Sequence, residues 1–573
     1  VRGILLFMTK YLIRKSIPKK LREELKEHSD FTAQLLGVRG IKTKEEANSF
    51  LNPNYENGIH DPFLMEGMER AAKRILKAIK KDEHIVIYSD YDCDGVPGGV
   101  VLHDFFKKIE YANFSNYIPH RHEEGYGLNT SAVEGFAKKD AKVLITVDCG
   151  IADDEPIARA NKLGIDVILT DHHLENDKKP KPYVILNPNQ KKDKTYPFKG
   201  LCGAGVAWKL VQGLIAKGDF NLVKGWEKWL LDMVGLSTIA DMVPLQDENR
   251  IIAHYGLQVL RKSRRPGLQQ LCQKIKVKQN QITEDDIGFM IAPRINAASR
   301  MAHPEEAFKL LSTDDVVEGG KLAEYLDKIN NERKGIVAGM ARKVHERLKN
   351  TDEKEIIVMG NPEWKPALVG LVANNIAEEQ KKPVFIWGRD SGDVIKGSCR
   401  SDGSLNLVEF MGSIKNVFID AGGHKFSGGF SVKEERIHDF EQVLVDAFKK
   451  YPKDKVEDTD EVDAKLHIDD VNWQTYSVIE KMAPFGVGNA KPLFLFENLL
   501  INEIKHFGKE KNHLQLGFIN GNKKQVNCIA FFKTAEHFEK DIIEGKKVNL
   551  IGSLEKSTFR GFPELRLRIV DIY

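Results

Sequence analysis

The sequence predicts an α/β protein: a parallel-sheet lobe, joined by a long helix to a second α/β lobe and followed by a small β-barrel. Three observations predict it. Short β-branched runs alternate with helix-like stretches over residues 84–188. One amphipathic pattern then continues from 318 to 350. From about residue 484 the segments become short, β-like and punctuated by turn signals.

Each element follows in order. Residues 8–80 read as mostly helical and end in a stripe of Met68, Ala72, Ile75, Leu76 and Ile79 at helical spacing. The runs "HIVIYSD" (84–90), "KVLITVDCG" (142–150), "DVILTDHH" (166–173) and "YVILNP" (183–188) come next. They are apolar throughout, as strands covered on both faces are. The helix-like stretches between them imply parallel strands with crossover helices. Residues 251–281 read as helical and carry seven basic residues and no acidic ones, either a phosphate channel or a solvated face. Leu322, Leu326, Ile329, Ile336, Met340, Val344 and Leu348 are spaced for one long helix between lobes. Strands near 355–360 and 383–388 flank a helix at 367–380. Acidic residues over 454–470 mark a boundary, and "INGNKK" and "RGFPE" are turn signals within a barrel of the OB type. The expected domains are a helical cap (1–80), a catalytic lobe (81–250), a helical connector (251–350), a substrate-binding lobe (351–453) and a nucleic-acid-binding barrel (454–573).

Composition narrows the class. The chain has 573 residues, 42% hydrophobic and 29% charged, which is ordinary for soluble globular protein. Its 86 basic and 83 acidic residues leave a net charge of +3, so any nucleic-acid footprint must be local. Six scattered cysteines without CxxC spacing argue against a disulfide framework or zinc ribbon and fit a reducing compartment, the cytoplasm. The apolar patch in "VRGILLFMTKYLIRK" is too short for a secretory leader, and no window reaches the length of a membrane span. Either Val1 or Met8 serves as the start in this reading.

Three strand ends carry the chemistry. The first run ends in Asp90, Asp92 and Asp94, the second in Asp148, the third in Asp171, His172 and His173. In open parallel sheets, ligands bind beyond the carboxyl ends of the strands. Ionised carboxylates ~4 Å apart repel by roughly 4 kcal/mol near a protein surface, so a cluster of them calls for water or a cation. Asp241, in the apolar context "GLSTIADMVPL", is a fourth costly acid. Carboxylate oxygens with one or two imidazoles suit Mn²⁺ or Mg²⁺. So many acids imply two ions, ~3.5–4 Å apart, the arrangement that clamps both oxygens of a phosphoryl displacement. An EF-hand would need a glutamate where Val101 stands. An Asp-Gly turn explains any one motif, but not their recurrence at successive strand ends. Alternation turns Cys93 and Cys149 away as small core residues.

At this point the sequence resembles a known family. "DYDCDG", "VDCG", "TDHH" and "STIAD" are similar, in order and spacing, to the four motifs of the DHH phosphoesterases. "IPHRHEEGYGLN" (118–129), "APRINAASRM" (292–301), "INNERK" (329–334), "KGSCRS" (396–401), "AGGHKFSGGF" (421–430) and "APFGVGNAKPLF" (483–494) resemble its RecJ single-strand exonuclease branch, over about residues 30–573. The resemblance implies a DHH lobe, a DHH-associated lobe and an OB-like barrel. It implies that Asp90, Asp92, Asp94, Asp148, His172 and Asp241 hold two manganese ions, with magnesium as an alternative and Asp148 bridging. It makes His173 the residue that contacts the reacting phosphate and acts in acid catalysis. Arg121, Arg294, Arg300 and Ser398, Arg400 and Ser401 of a "KGSCRS" loop would grip DNA phosphates, while Gly423 and His424 let backbone approach one closely. Cys93, "VPGG" (96–99), "EWKPALVG" (363–370) and Ser299 depart from the family pattern without removing a ligand.

The expected activity is therefore a metal-dependent 5′→3′ exonuclease releasing mononucleotides from single-stranded DNA in recombination and repair. A helicase and a single-strand-binding protein are the expected partners, and no membrane is. The rivals are a small-molecule phosphodiesterase or nano-oligonucleotide hydrolase of the same superfamily, and a non-catalytic single-strand-binding scaffold. Phe507, Phe518, Phe531, Phe532, Phe559 and Phe562 of the tail would stack bases if exposed, but most are expected in the core.

Overall fold

Apolar runs too short for helices form the first sheet. The computed structural model describes residues 11–175, 179–192, 194–351, 354–389, 394–452, 461–508, 510–538, 540–558 and 562–573. The chain divides into two compact units: Asp61–Asp241 with Gly256–Glu457, and Val1–His60 with Met242–Tyr255 and Asp458–Tyr573. In the first unit lie β1 (Ile85–Ser89), β2 (Phe114–Tyr117), β3 (Val143–Val147), β4 (Asp166–Thr170) and β5 (Val184–Leu186). All are parallel, in the order β2-β1-β3-β4-β5. β1 and β3 are buried throughout, which explains their continuous apolar character. The sequence reading missed β2. It is an edge strand, half-buried and polar, and so lacks the apolar run that announced the others.

Helices α1 (Met68–Lys80), α2 (Gly95–Lys108), α3 (Gly203–Lys217) and α4 (Leu231–Ala240) belong to this lobe. The buried face of α1 is Met68, Ala71, Ala72, Ile75 and Ala78, so its stripe is rotated from the expected one and Leu76 and Ile79 are only half-buried. Arg74 is drawn into that face because Asp166 (2.5 Å) and Glu83 (2.7 Å) satisfy it.

After α5 (Pro266–Lys274) and α6 (Ala292–Met301), α7 runs unbroken over Val316–Lys349. It is the long helix the sequence predicts. Its first half buries Leu322, Leu326 and Ile329, and its second half buries Met340 and Val344. Ile336 departs from the expected stripe: it is exposed, while its neighbour Val337 packs with Met340 and Val344. The second lobe holds β6 (Ile357–Gly360), α8 (Pro366–Gln380), β7 (Val384–Arg389), β8 (Val394–Arg400), β9 (Asp420–His424) and β10 (Ser427–Lys433). Their order is β9-β10-β8-β7-β6, with only β6 and β7 parallel. "KGSCRS" is therefore mostly strand β8, not a loop: its small and polar residues hid a strand paired on both sides.

In the second unit, helices Asp30–Gly37 and Lys44–Leu51 cover a sheet, the latter opened by a Thr43–Glu46 capping box. The sheet comprises Ala464–Lys465, β11 (Phe494–Leu500), β12 (Glu503–Phe507), β13 (His513–Ile519), β14 (Gln525–Ala530), β15 (Lys547–Ser557) and β16 (Glu564–Ile572). Their order is (464–465)-β11-β15-β16-β14-β13-β12. "INGNKK" closes the β13–β14 hairpin as expected. The phenylalanines depart from expectation. Phe518 is buried, Phe507 and Phe531 are half-buried, and Phe532 and Phe562 are 75% and 59% exposed; Phe559 and residues 453–460 of the acidic boundary lie outside the described residues.

Candidate metal centre and phosphate cleft

The register of the first sheet levels the acids. Ser89, Val147 and Thr170 align across β1, β3 and β4, so the residue after each strand is an aspartate at the same height. The ladder continues one step further: Asp90 N–H donates to the Val147 carbonyl (3.0 Å) and Asp148 N–H to that of Thr170 (3.1 Å). Asp148 then turns with φ +62°, a left-handed conformation that aspartate tolerates better than most residues. Gly203 lies behind it, where any Cβ would stand 2.5 Å from that of Asp148.

Three groups of ligand atoms result, each within 4.8 Å: Asp90, Asp92 and Asp148; Asp94, His172 and Asp241; and Asp148, His172 and His173. The first two groups meet through Asp148 and His172, whose Oδ1 and Nε2 are 3.1 Å apart. His172 Nε2 also lies 3.7 Å from both Asp94 Oδ2 and Asp241 Oδ2. Asp94 accepts N–H groups from Gly203 (2.6 Å) and Ala204 (2.8 Å), so the N-terminus of α3 steadies its charge. Asp92 accepts from Asp94 and Gly95 N–H, and Asp241 caps the end of α4.

The electrostatics fit a cation. Burial, then the Asp92 charge, holds Asp90 well above the usual carboxylate range. Burial, then Asp94, Asp92 and Asp90, does the same to Asp148, and burial with Asp94 and Asp92 pushes Asp241 up to about 9. Burial lowers His172, favouring the neutral ring that a metal needs. Asp90 Oδ1 and Asp148 Oδ1 are buried without a hydrogen-bond partner. Orphaned carboxylate oxygens aimed at one space are what a divalent ion would satisfy.

His173 behaves differently. Its Nδ1 sits 2.8 Å from Asp171 Oδ1. Burial opposes its charge, but this bond and the Asp171 charge outweigh it and lift His173 to about 9. The sequence reading gave Asp171 no role of its own. The structure makes it a fully buried anchor that also accepts the N–H groups of His172 and His173. Asn187 and Asn189 were missed as well: they donate to the carbonyls of His173 (2.9 Å) and His172 (2.6 Å), fixing the turn. Their signal was the "NPN" directly after "YVIL". Tyr126 was also missed. Its hydroxyl donates to the Asp148 carbonyl (3.2 Å), and its ring, 52% exposed, stands edge-on to His173 and Tyr91. Cys93 and Cys149 are buried as expected.

The expected phosphate residues divide. Arg121 lies over the Tyr91 ring, 4.7 Å from its centroid. Arg300 donates to the Ala367 carbonyl at the start of α8 (2.7 Å). Burial, then Arg121 and Arg333, pushes it down to about 9 against a smaller opposing pull from Asp92, and no carboxylate pairs with it among the described residues. Ser398 and Arg400, two residues apart on β8, both back onto Gly370 of α8. Arg294 is engaged within the protein. Its three nitrogens serve Asp327 (3.0 and 2.9 Å) and the Met290 carbonyl (2.6 Å), so it clamps α6 to α7 from a buried position. The Ser401 hydroxyl is also occupied, accepting the N–H groups of Gly403 and Leu405. Gly423 and His424 sit on the exposed β9–β10 hairpin, with Gly423 at φ +141° against Gly428. The basic stretch 251–281 is not a continuous track: Arg261 holds the Ile282 carbonyl, and Arg265 is bonded to Asp232 and Asp104.

Comparison with known proteins agrees with this geometry. Residues 84–238 match the model of the DHH family, N-terminal domain; 357–450 match the DHHA1 domain; and 462–571 match the RecJ OB domain. The single-stranded-DNA-specific exonuclease RecJ of Bacillus subtilis is 34% identical over 557 residues, 96% of this chain and 69% of that protein. The protein of the same name from Haemophilus influenzae is 30% identical, covering 98% of this chain and 99% of its own. A crystal structure of RecJ in complex with Mn²⁺ from Thermus thermophilus superposes with a TM-score of 0.81 at 26% identity, covering 98% of this chain and 79% of that one. With its ordered motifs, its three-part architecture and relatives this similar over nearly the whole of this chain, the chain belongs to the RecJ family.

Proposed function

We propose that this chain is a divalent-metal-dependent exonuclease that hydrolyses single-stranded DNA from the 5′ end to mononucleotides, in recombination and repair. One observation carries the reading. Two groups of ligand atoms meet at Asp148 and His172, beside an imidazole held by Asp171 and the guanidinium groups of Arg121 and Arg300, which have no carboxylate partner among the described residues. The relatives' shared name, single-stranded-DNA-specific exonuclease, supports the substrate.

Two divalent ions, one held by Asp90, Asp92 and Asp148 and the other by Asp94, Asp148, His172 and Asp241, would supply Lewis acidity and a nucleophile at neutral pH. Manganese is the proposed ion, with magnesium able to substitute; solved RecJ structures from Thermus thermophilus are in complex with each. The chain's own groups do the rest. Arg121 and Arg300 hold phosphate oxygens, and Ser398 and Arg400 receive a second phosphate near the start of α8. With Nδ1 engaged by Asp171, His173 keeps Nε2 for the reacting phosphate and carries the proton that the leaving oxygen takes. Tyr126 offers its exposed face to the adjoining nucleotide. On the barrel, Phe531 lies beneath Arg568 (4.1 Å) and Arg566 (5.5 Å), next to Phe507, His513 and Phe532. Such a surface stacks bases regardless of sequence, at ~1–3 kcal/mol per base. A helicase and a single-strand-binding protein are the proposed partners, because a duplex must be opened before such an enzyme can act. Six free, buried cysteines support a reducing, cytoplasmic setting. No helix among the described residues is long and apolar enough to cross a membrane.

The test is digestion of 5′-labelled and 3′-labelled single strands with Mn²⁺, Mg²⁺ or chelator. Labelled mononucleotide should appear at once from the 5′-labelled strand, and chelator should stop it. Early release from the 3′ label would reverse the direction. Cleavage of dinucleotides alone would favour a small-molecule phosphodiesterase.

A further inference from the structure

The loop that carries Asp90, Asp92 and Asp94 is stitched partly from within. Asp94 N–H (2.8 Å) and Gly95 N–H (3.2 Å) both donate to Asp92 Oδ1. Cys93 N–H, between two of the acids, reaches outside the loop and donates to Asn296 Oδ1 of α6 at 2.8 Å. α6 is placed to hold that oxygen still. At 3.6 residues per turn, Asn296 and Arg300 share one face of the helix, about 6 Å apart along its axis, while Arg294 lies on another. Arg294 ties that other face to Asp327 of α7 (3.0 Å), and Arg300 ties the end of the helix to the Ala367 carbonyl of α8 (2.7 Å). Ser299 Oγ donates to the Asn296 carbonyl (3.3 Å). The charge of Asp92 is felt at Arg300, so this face meets the metal loop at two places.

We propose that Asn296 is a positioning residue for the metal centre: by fixing Cys93 N–H it sets how Asp92 and Asp94 reach the ions, one helical turn from the Arg300 guanidinium that receives phosphate. The inference rests on the two-ion reading above and names a residue that touches neither ion nor strand. Groups that orient metal ligands from behind act through the cost of ordering those ligands. With Asn296 in place, the loop between two ligands is held before any ion arrives. Without it, Cys93 N–H loses its partner, and ion binding must remove the freedom the loop has gained. Because Asn296 and Arg300 stand on one rigid helix, the ions and the phosphate keep a fixed spacing, which in-line displacement requires.

The test follows Mn²⁺ uptake by the full chain through loss of the free ion's electron paramagnetic resonance signal. Strand binding is measured separately, by anisotropy of a fluorescein-labelled oligothymidylate in chelator. Asn296→Ala should weaken Mn²⁺ binding at least about tenfold, the scale on which a residue that orients a ligand acts. Strand affinity without metal should stay within about twofold of wild type, because Arg300 keeps its own anchor. Asn296→Asp, which keeps an oxygen for Cys93 N–H, should recover most of the lost Mn²⁺ affinity. Unchanged Mn²⁺ binding in Asn296→Ala would overturn the proposal. So would an Asn296→Asp chain as weak as Asn296→Ala, or equal losses of Mn²⁺ and strand affinity, the mark of a general loosening of the fold. A wild-type chain that takes up no Mn²⁺ would overturn the two-ion reading, and the proposal with it.

Discussion

Two arginines of one motif, Arg294 and Arg300, divide the work that the sequence assigned to both. Asp327 absorbs Arg294, whereas Arg300 donates to the Ala367 carbonyl and has no carboxylate partner among the described residues. The sequence could not tell them apart, because the deciding carboxylate lies 33 residues further on, across a helix contact that no local pattern encodes. Arg294→Ala should therefore destabilise the protein by about 3–5 kcal/mol, as removal of one partner of a buried pair does, and Asp327→Asn should share part of that loss. Arg300→Ala should leave the melting temperature nearly intact and raise KM roughly tenfold, the cost of one charged contact. Reversed results would return Arg294 to the phosphate. The proposed metal acids were legible for the opposite reason: carboxylates repeated at successive strand ends are too costly to be accidental. At the proposed bridging position, Asp148→Asn keeps a side chain that tolerates the left-handed backbone. Hydrolysis should fall at least about 10³-fold, with single-strand binding retained in a gel-shift assay. Loss of binding and hydrolysis together would contradict a purely metal role.

At the scale of elements, what the sequence showed was decided by periodicity. α7 was readable over nearly its whole length because Leu322 to Val344 keep one helical stripe. β2 and β8 were not, one a polar edge and the other rich in small and polar residues, so neither carries an apolar run. Packing between helices was equally hidden. α5 packs so closely on its neighbours that a Cβ at Gly319 of α7 would stand 3.0 Å from Gly267 Cα, and one at Gly267 would fall 1.8 Å from the carbonyl oxygen of Leu310, on the helix Glu305–Ser312. Gly267→Ala should therefore shift the backbone and destabilise the chain by about 1–3 kcal/mol, read by thermal melting. An unchanged melting temperature would show that this contact yields freely. The tail phenylalanines teach the same lesson: β propensity marked their strands, but which face meets water was set by partners elsewhere in the sheet.

For the whole molecule, the central claim is linkage between ions and fold. Buried acids held above their ordinary range oppose folding, and divalent ions relieve that opposition. Mn²⁺ at 100 times its Kd should stabilise the chain by about 2.7 kcal/mol per site, raising the melting temperature in calorimetry. The rise should shrink sharply in Asp148→Asn. A rise of equal size in that variant would place the ions elsewhere. The most direct measurement is anomalous scattering from crystals grown with Mn²⁺. Two peaks are expected, one among Asp90, Asp92 and Asp148 and one among Asp94, Asp148, His172 and Asp241. Peaks absent from both positions in well-ordered density would contradict the claim.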